Sequence, residues 1–170
     1  PMTWHDIDGD GYNDDVVDDD SPTVAEFGQA ITKWAAEQKT DGPLYIYLID
    51  HGGTNTFTIF PPDEVITANQ LAGYLDTFQD TTGRQVIVMI EACKSGSFTD
   101  DLVTPGKDRI VVTCTDDKNA YIHLTGRISF TQFFVDRLLT GDSIYESYQK
   151  AWTELSNRGL PYSEMRPQLE

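Results

Sequence analysis

Apolar runs and helical repeats alternate along the chain, and this pattern predicts strands that alternate with helices. The run over residues 44–49 is continuously apolar and bounded by turn residues. We therefore expect a strand that is buried on both faces and central in a parallel sheet. Further strands are predicted over residues 57–60, 85–90 and 109–113. Strands separated by helices in this way are typical of an α/β sandwich.

The helical spacing of apolar residues predicts four helices. Two of them follow capping boxes at residues 23–26 and 67–70, where a threonine precedes Glu or Gln by three positions. The other two are predicted over residues 130–138 and 144–155, the last one behind Ser143 as its N-cap. In the first two helices, the positions expected to face the core are Val24, Phe27, Ile31, Trp34, Leu71, Leu75 and Phe78.

Length and charge narrow the class of protein. The chain has 170 residues, which is enough for one domain with its own core. Its 12 basic and 28 acidic side chains give a formal net charge of -16, which repels nucleic acid and anionic lipid headgroups. No apolar run reaches the roughly 18 residues that a membrane-spanning segment needs. Its 2 cysteines are too few for a disulfide framework.

The first twenty residues are predicted to form a loop, because aspartates and glycines crowd there. Their spacing reproduces the first nine positions of an Asp-rich calcium loop. The twelfth position holds Val17 instead of an acid, so the segment resembles the looser calcium loops of dockerin-like and thrombospondin-repeat-like segments. We expect a structural or regulatory Ca²⁺ site in residues 1–22, apart from a core over residues 23–170. The expected ligands are Asp6, Asp8, Asp10, Tyr12 and Asp14.

A histidine and a cysteine follow the first two buried strands. Parallel strands place ligands beyond their carboxyl ends, so His51 and Cys93 are expected on the same rim of the sheet. Attack by a thiolate on a carbonyl needs an imidazole for proton transfer and N–H donors for the developing oxyanion. Gly52 has no Cβ, so its backbone N–H can approach a substrate closely, and we expect it to form an oxyanion hole with the N–H of Cys93. Spacing alone leaves open a buried structural cysteine and a surface histidine.

Two motifs carry a family resemblance: a strand followed by Asp50-His51-Gly52-Gly53, and a strand followed by Glu91-Ala92-Cys93-Lys94-Ser95-Gly96-Ser97. Together they resemble the paired signature of the legumain-type cysteine peptidases. This family belongs to the caspase-like clan and includes the catalytic subunit of the glycosylphosphatidylinositol transamidase. The resemblance covers residues 44–98 and continues more weakly to residue 155.

The resemblance implies a caspase-like α/β/α sandwich with a mostly parallel central sheet. It also implies that His51 and Cys93 are the catalytic dyad, that Gly52 lies at the oxyanion hole, and that catalysis uses no cofactor. Members of the family begin with a strand and a helix that are not found before Trp4. We therefore expect the caspase-like core without that N-terminal strand and helix.

The family pattern also suggests where substrate binds. The strand over residues 109–113 is expected to help form the pocket for P1, the residue before the scissile bond. Asp116 or Asp117 at its end favours Arg or Lys at P1 by charge pairing, with Asn as the alternative, unless both are solvated turn residues. Glu91 points to the same face as Cys93, where it either shapes the substrate site or anchors the turn.

The expected function is that of a cysteine endopeptidase acting on a peptide or protein through an acyl-enzyme on Cys93, with His51 as general acid and base. A transpeptidase of the same fold and an inactive calcium-dependent binding module are the alternatives. Millimolar extracellular calcium suits loose acidic loops, so we expect a secreted or cell-surface protein.

Overall fold

Strands and helices alternate in the computed structural model, which describes residues 3–5, 15–17, 22–60 and 64–170. The strands are β1 (Thr3–His5), β2 (Asp15–Val17), β3 (Leu44–Ile49), β4 (Gly52–Gly53), β5 (Thr56–Phe60), β6 (Glu64–Thr67), β7 (Val86–Glu91), β8 (Arg109–Thr113) and β9 (Gln168–Leu169). The helices are α1 (Val24–Gln29), α2 (Ala68–Thr82), α3 (Thr99–Leu102), α4 (Phe130–Leu139) and α5 (Ile144–Ser156). A π-helical segment over Ala30–Ala35 continues α1, and 3₁₀ turns cover Ser95–Phe98 and Tyr162–Glu164.

A four-stranded sheet in the order β3-β7-β8-β9 forms the centre of the fold. The β3–β7 and β7–β8 pairs are parallel, and β9 is antiparallel to β8. This confirms the predicted α/β fold with a mostly parallel sheet. In the register of β3 and β7, Ile49 lies opposite Glu91. The two strands therefore end at the same level, and the residues that follow them leave the sheet side by side.

Helices cover both faces of this sheet and make an α/β/α sandwich. On one face, β3 and β7 pack with α1, its π-helical continuation, α2 and α3 around a cluster that includes Leu71, Leu75 and Phe78, all fully buried as predicted. On the other face, β8 packs with α4 and α5 around Phe130 and Phe134. The capping boxes predicted before α1 and α2 are present, and a third one begins α5 at Ser143.

The prediction that β3 is central and buried on both faces is wrong. Within the described strands β3 pairs with β7 alone and forms an edge of the sheet. Its outward residues Tyr45, Tyr47 and Ile49 are 60%, 45% and 48% exposed, because the described helices α4 and α5 cover β7 and β8 but not this column. An apolar run does not show by itself whether a helix covers it.

The inward position predicted for Trp34 is also wrong, since this side chain is 69% exposed. The first helix changes from α to π geometry after Gln29, and the buried positions there are Ile31 and Ala35. Gly28, Ile31 and Ala35 form the buried face, so Trp34 lies beside this face and not on it.

The predicted loop over residues 1–20 contains two short strands. β1 and β2 pair antiparallel, with Trp4 opposite Val16, so the prediction is wrong for these residues. Residues with high strand propensity lie on both sides of the acidic run and account for the pairing. The predicted calcium ligands between the strands, residues 6–14, lie outside the described residues. In the part that is described, no helix is long and apolar enough to cross a membrane.

Candidate active site

His51 and Cys93 occupy equivalent positions after two neighbouring strands. Ile49 at the end of β3 pairs with Glu91 at the end of β7, and each is followed two residues later by one of the two groups. Both groups line a pocket of about 310 Å³. The other lining residues are Asp50, Glu91, Ala92, Ala120 and Ile122. A larger pocket of about 360 Å³, beside α4 and α5, is lined by neither cysteine nor histidine.

His51 begins a hairpin that we call the histidine arm, residues 51–56. The arm turns back through β4 onto β5, and the carbonyl of His51 accepts a hydrogen bond from Thr58 N at 2.9 Å. The N–H of His51 donates to Asp50 Oδ1 at 2.6 Å. The side chain of His51 is exposed. Within the described ranges its ring has no hydrogen-bond partner, so the backbone of the arm determines where the imidazole lies.

Gly52 lies directly against the backbone of Cys93. A Cβ at this position would be 2.7 Å from the carbonyl oxygen of Cys93 and 2.9 Å from Cβ of Ala92. The bond from Thr58 N to the His51 carbonyl makes Gly52 and Phe57 a non-hydrogen-bonded pair, which directs the N–H of Gly52 away from β5. This orientation is compatible with the predicted oxyanion hole, which stays a prediction.

Cys93 leaves β7 through a tight turn that we call the nucleophile turn, residues 93–98. Lys94 adopts a left-handed conformation with φ 58°, and its N–H donates to the carbonyl of Lys118 at 2.7 Å. Cys93 is half-buried, and its thiol makes a weak contact with the carbonyl oxygen of Ala120 at 4.0 Å. The thiol is thus accessible from the pocket, as a nucleophile must be.

The second cysteine is part of the support beneath this turn. Cys114 is fully buried, with Sγ 3.6 Å from Oγ of Ser95. Burial raises the pKa of its thiol to about 12, so the thiol stays protonated at neutral pH. Ser95 Oγ also donates to the carbonyl of Thr115 at 3.2 Å and accepts from its N–H at 3.3 Å. Cys114 is therefore structural, and these bonds attach the nucleophile turn to the end of β8.

Glu91 is fully buried although it lines the pocket. Its Oε2 accepts hydrogen bonds from the hydroxyls of Tyr47 at 3.0 Å and Ser129 at 3.3 Å, and its Oε1 accepts from Thr131 N at 3.4 Å. Ser129 and Thr131 begin α4, where the helix dipole favours a negative charge. Burial, and then the Glu91 carboxylate, raise the pKa of Tyr47 well above its usual value. Glu91 thus anchors α4 and also contributes to the pocket wall.

The two turn aspartates lie elsewhere. Asp116 Oδ1 accepts from Lys118 N at 3.2 Å, and Asp117 is exposed. Neither is among the residues that line the pocket with Cys93, so their role in substrate binding stays a prediction. Sequence reasoning missed Asp50 as a lining carboxylate, although its position directly before His51 at a strand end was a usable signal.

Ala120 and Ile122 were missed as well, and no sequence signal identified them. They belong to the loop between β8 and α4, which has no helical or strand periodicity. The contact of Ala120 with the Cys93 thiol crosses 27 positions of sequence and depends on tertiary packing. Among the residues that the structure describes, no group of three or more His, Cys, Asp or Glu could hold a metal ion.

The fold has a counterpart among solved structures. It is similar to the crystal structure of caspase-1 from Spodoptera frugiperda, with a TM-score of 0.66 and 16% sequence identity over 88% of this chain and 68% of the caspase chain. This likeness shows the caspase-like fold class.

Sequence comparison identifies the family within that class. The sequence model of the peptidase C13 family, the legumain family, matches residues 19–152, and the chain belongs to this family. The predicted legumain-type resemblance is thereby confirmed. A comparison with curated proteins finds no match.

Proposed function

We propose that this chain is a cysteine endopeptidase that hydrolyses peptide bonds through an acyl-enzyme on Cys93. The observation that carries the proposal is the placement of His51 and Cys93 at equivalent positions beyond two paired parallel strands, facing one pocket. Membership of the peptidase C13 family supports the same chemistry.

In the proposed reaction, the Cys93 thiolate attacks the carbonyl carbon of the scissile bond and forms a tetrahedral intermediate. His51, which has taken the thiol proton, delivers it to the leaving amine as the C–N bond breaks, and a thioester remains on Cys93. Water then attacks the thioester while His51 accepts its proton. The acid forms, and the thiol is regenerated.

The oxyanion of both intermediates needs donors that are fixed before the reaction. We assign this role to the N–H groups of Gly52 and Cys93. The support for Gly52 is its outward-directed N–H and its close approach to the Cys93 backbone. The N–H of Lys94 already bonds to the carbonyl of Lys118 and does not compete for this role.

For specificity, we propose that the pocket takes Arg or Lys at P1. Its acidic residues, Asp50 and Glu91, are accompanied by the apolar Ala92, Ala120 and Ile122, which suits a charged head on an aliphatic stem. Glu91 accepts three hydrogen bonds from the protein. Its carboxylate is fully buried, so its proposed action on the P1 head is that of a nearby negative charge. An Asn side chain also carries a donor and is the competing choice.

The experiment that tests the function is turnover of fluorogenic peptides with Arg, Lys, Asn or Asp at P1. Wild type is expected to cleave one group of peptides, and Cys93→Ala and His51→Ala are expected to cleave none. Ser156→Ala is the control, because this exposed hydroxyl bonds only within α5 and lies outside the pocket. If wild type, in this form and with an upstream segment added, cleaves no peptide, the enzyme proposal fails in favour of an inactive binding module. Product analysis with an added amine separates hydrolysis from transpeptidation.

The same peptides test the specificity proposal. Glu91→Gln keeps the shape of the side chain and removes its charge, so kcat/KM for Arg and Lys peptides is expected to fall at least roughly tenfold relative to the Asn peptide. The variants Asp116→Asn and Asp117→Asn test the alternative that the turn carboxylates reach P1. Equal losses for all peptides in Glu91→Gln would mean that Glu91 only anchors the fold.

We also propose that the acidic segment over residues 6–14 binds Ca²⁺ and that the protein works outside the cell. The support is the spacing of its aspartates, which suits hard oxygen ligands. The strands β1 and β2, which flank this segment, pair with each other. Ca²⁺ binding between them is expected to stabilise this end of the chain rather than take part in peptide cleavage.

A further inference from the structure

The two catalytic groups lie on two separate loops, and few contacts join the loops. Gly52 of the histidine arm touches the backbone of Cys93, and Lys94 Nζ is 3.5 Å from Oγ1 of Thr54. The third contact runs through Ser97, the last serine of the Ser95-Gly96-Ser97 run. This contact has short hydrogen bonds both to the histidine arm and within the nucleophile turn.

Ser97 Oγ acts as donor to one loop and acceptor from the other. It donates to the carbonyl of Lys94 at 2.7 Å, and it accepts from the backbone N–H of Asn55 at 2.7 Å. Ser97 N also donates to the Lys94 carbonyl at 3.0 Å. The carbonyl of the residue that follows Cys93 is thus held from two sides while Lys94 keeps its left-handed φ of 58°.

At the other end of this contact, Asn55 forms the tip of the histidine arm. It also has a left-handed conformation, with φ 56°, which Asn adopts more readily than most residues. Its N–H is bonded to Ser97, and its carbonyl accepts from Ala68 N at the first residue of α2 at 3.0 Å. The tip is therefore fixed between the nucleophile turn and the start of α2.

From these contacts we infer that Ser97 is a positioning residue that sets the distance between His51 and Cys93. The inference rests on the proposed function of that pair. No described residue bonds to the His51 ring, so the imidazole follows the backbone of the arm. Thr58 N fixes the root of the arm at the His51 carbonyl, and Ser97 fixes its tip. Without the Ser97 hydroxyl, the tip loses its hydrogen bond to the nucleophile turn and keeps only the one from Ala68 N, so the arm can shift relative to the thiol.

The test compares Ser97→Ala with Ser97→Thr, which retains a hydroxyl that can donate and accept. Ser156→Ala, a serine at the end of α5 that bonds only within its helix, is the matched control. Ser97→Ala is expected to lower kcat roughly 10- to 100-fold, since small displacements of catalytic groups have effects of this size, with KM within about twofold. Ser97→Thr is expected to recover most of kcat, and Ser156→Ala to match wild type. Circular dichroism checks that each variant is folded.

A second readout does not depend on peptide cleavage. The rate at which iodoacetamide alkylates Cys93 is measured against pH, with Cys93→Ala for background and His51→Ala for a thiol without its imidazole. Wild type is expected to react faster than His51→Ala near neutral pH, because an adjacent imidazole takes up the thiol proton. Ser97→Ala is expected to lose most of this difference and Ser97→Thr to keep it.

Each outcome has one meaning. Identical wild-type and His51→Ala profiles would show that the proposed dyad does not exist. A wild-type profile that differs from His51→Ala, with Ser97→Ala equal to wild type in both profile and kcat, would overturn the role of Ser97 and leave the dyad intact. Equal damage in Ser97→Thr and Ser97→Ala would also overturn it, because the hydroxyl would then not be the group that matters.

Discussion

The contact between Gly52 and the nucleophile gives the sharpest prediction for the site. In Gly52→Ala the new Cβ meets the Cys93 carbonyl oxygen at 2.7 Å, where ordinary contact begins at 3.4 Å, so the loops must separate by about 0.7 Å. The atoms that it meets belong to the backbone or to Cβ of Ala92 and cannot rotate away. A displacement near 1 Å at a catalytic group costs about 100-fold. We therefore expect kcat/KM to fall roughly 30- to 100-fold, which is about 2 to 3 kcal/mol of transition-state stabilisation.

Two glycine variants make the assay specific. Gly53→Ala meets only Oγ1 of Thr56, a side-chain atom that can rotate, so its loss is expected to stay below about tenfold. Gly73→Ala lies in α2, where a Cβ meets nothing within 4 Å, and it should stabilise the helix by about 0.5 to 1 kcal/mol without changing kcat/KM. Urea unfolding of all variants separates activity from stability. A folded Gly52→Ala protein with kcat/KM within about threefold of wild type would refute the reasoning.

Three further predictions concern stability and metal binding. Burial raises the pKa of the Cys114 thiol from 9.0 to about 12. The contribution of this thiol to the unfolding free energy is therefore complete below pH 9 and decreases as the pH rises, by up to about 1.4 kcal/mol per pH unit. Between about pH 9 and pH 10, the unfolding free energy measured in urea should therefore fall less for Cys114→Ala than for wild type. Ser129→Ala removes the N-cap of α4 and a donor to the buried Glu91 carboxylate, and should lower the unfolding free energy by about 1 to 2 kcal/mol. Calorimetric titration should show Ca²⁺ binding to wild type and none to a variant with Asp8→Asn and Asp10→Asn.

These measurements have their own controls. Ser156→Ala removes an exposed hydroxyl and is expected to change the unfolding free energy by less than about 0.5 kcal/mol. Asp100→Asn with Asp101→Asn removes two charges from α3 and should leave Ca²⁺ binding unchanged. Parallel alkaline profiles for Cys114→Ala and wild type, a Ser129→Ala protein as stable as Ser156→Ala, or no calcium heat with wild type would each contradict the corresponding prediction.

The positions of His51 and Cys93 could be predicted because they depend on local pattern and one general rule. The runs that became β3 and β7 are each followed by a glycine- or serine-rich turn, and parallel neighbours end on one rim. The shared rim follows from that alone, whereas the expectation that the two residues form a dyad came from the family resemblance. The surroundings of the two residues could not be predicted in this way. Ile122 comes from a loop without periodicity, and Glu91 is bonded to the start of α4.

Other errors arose where several structures fit one pattern. The apolar run of β3 is compatible with a strand at the centre of a sheet and with one at its edge. The placement of the helices leaves Tyr45 and Tyr47 exposed. In the first helix, the apolar spacing does not distinguish Trp34 from its neighbour Ala35, and the structure buries Ala35. In both cases tertiary packing decided what the local sequence left open.

The two halves of the active site differ in how they are held. Cys93 stands on buried support, because Ser95 bonds to Thr115 and the Cys114 side chain fills the space below. His51 is exposed and stands on a hairpin fixed through backbone bonds at its root and tip. Segments with few buried contacts open more readily than the core. If the proposed reaction takes place, we therefore expect it to depend on the less stable of the two units, and we expect the hydrogen bonds that join the histidine arm to the nucleophile turn to affect activity more than global stability.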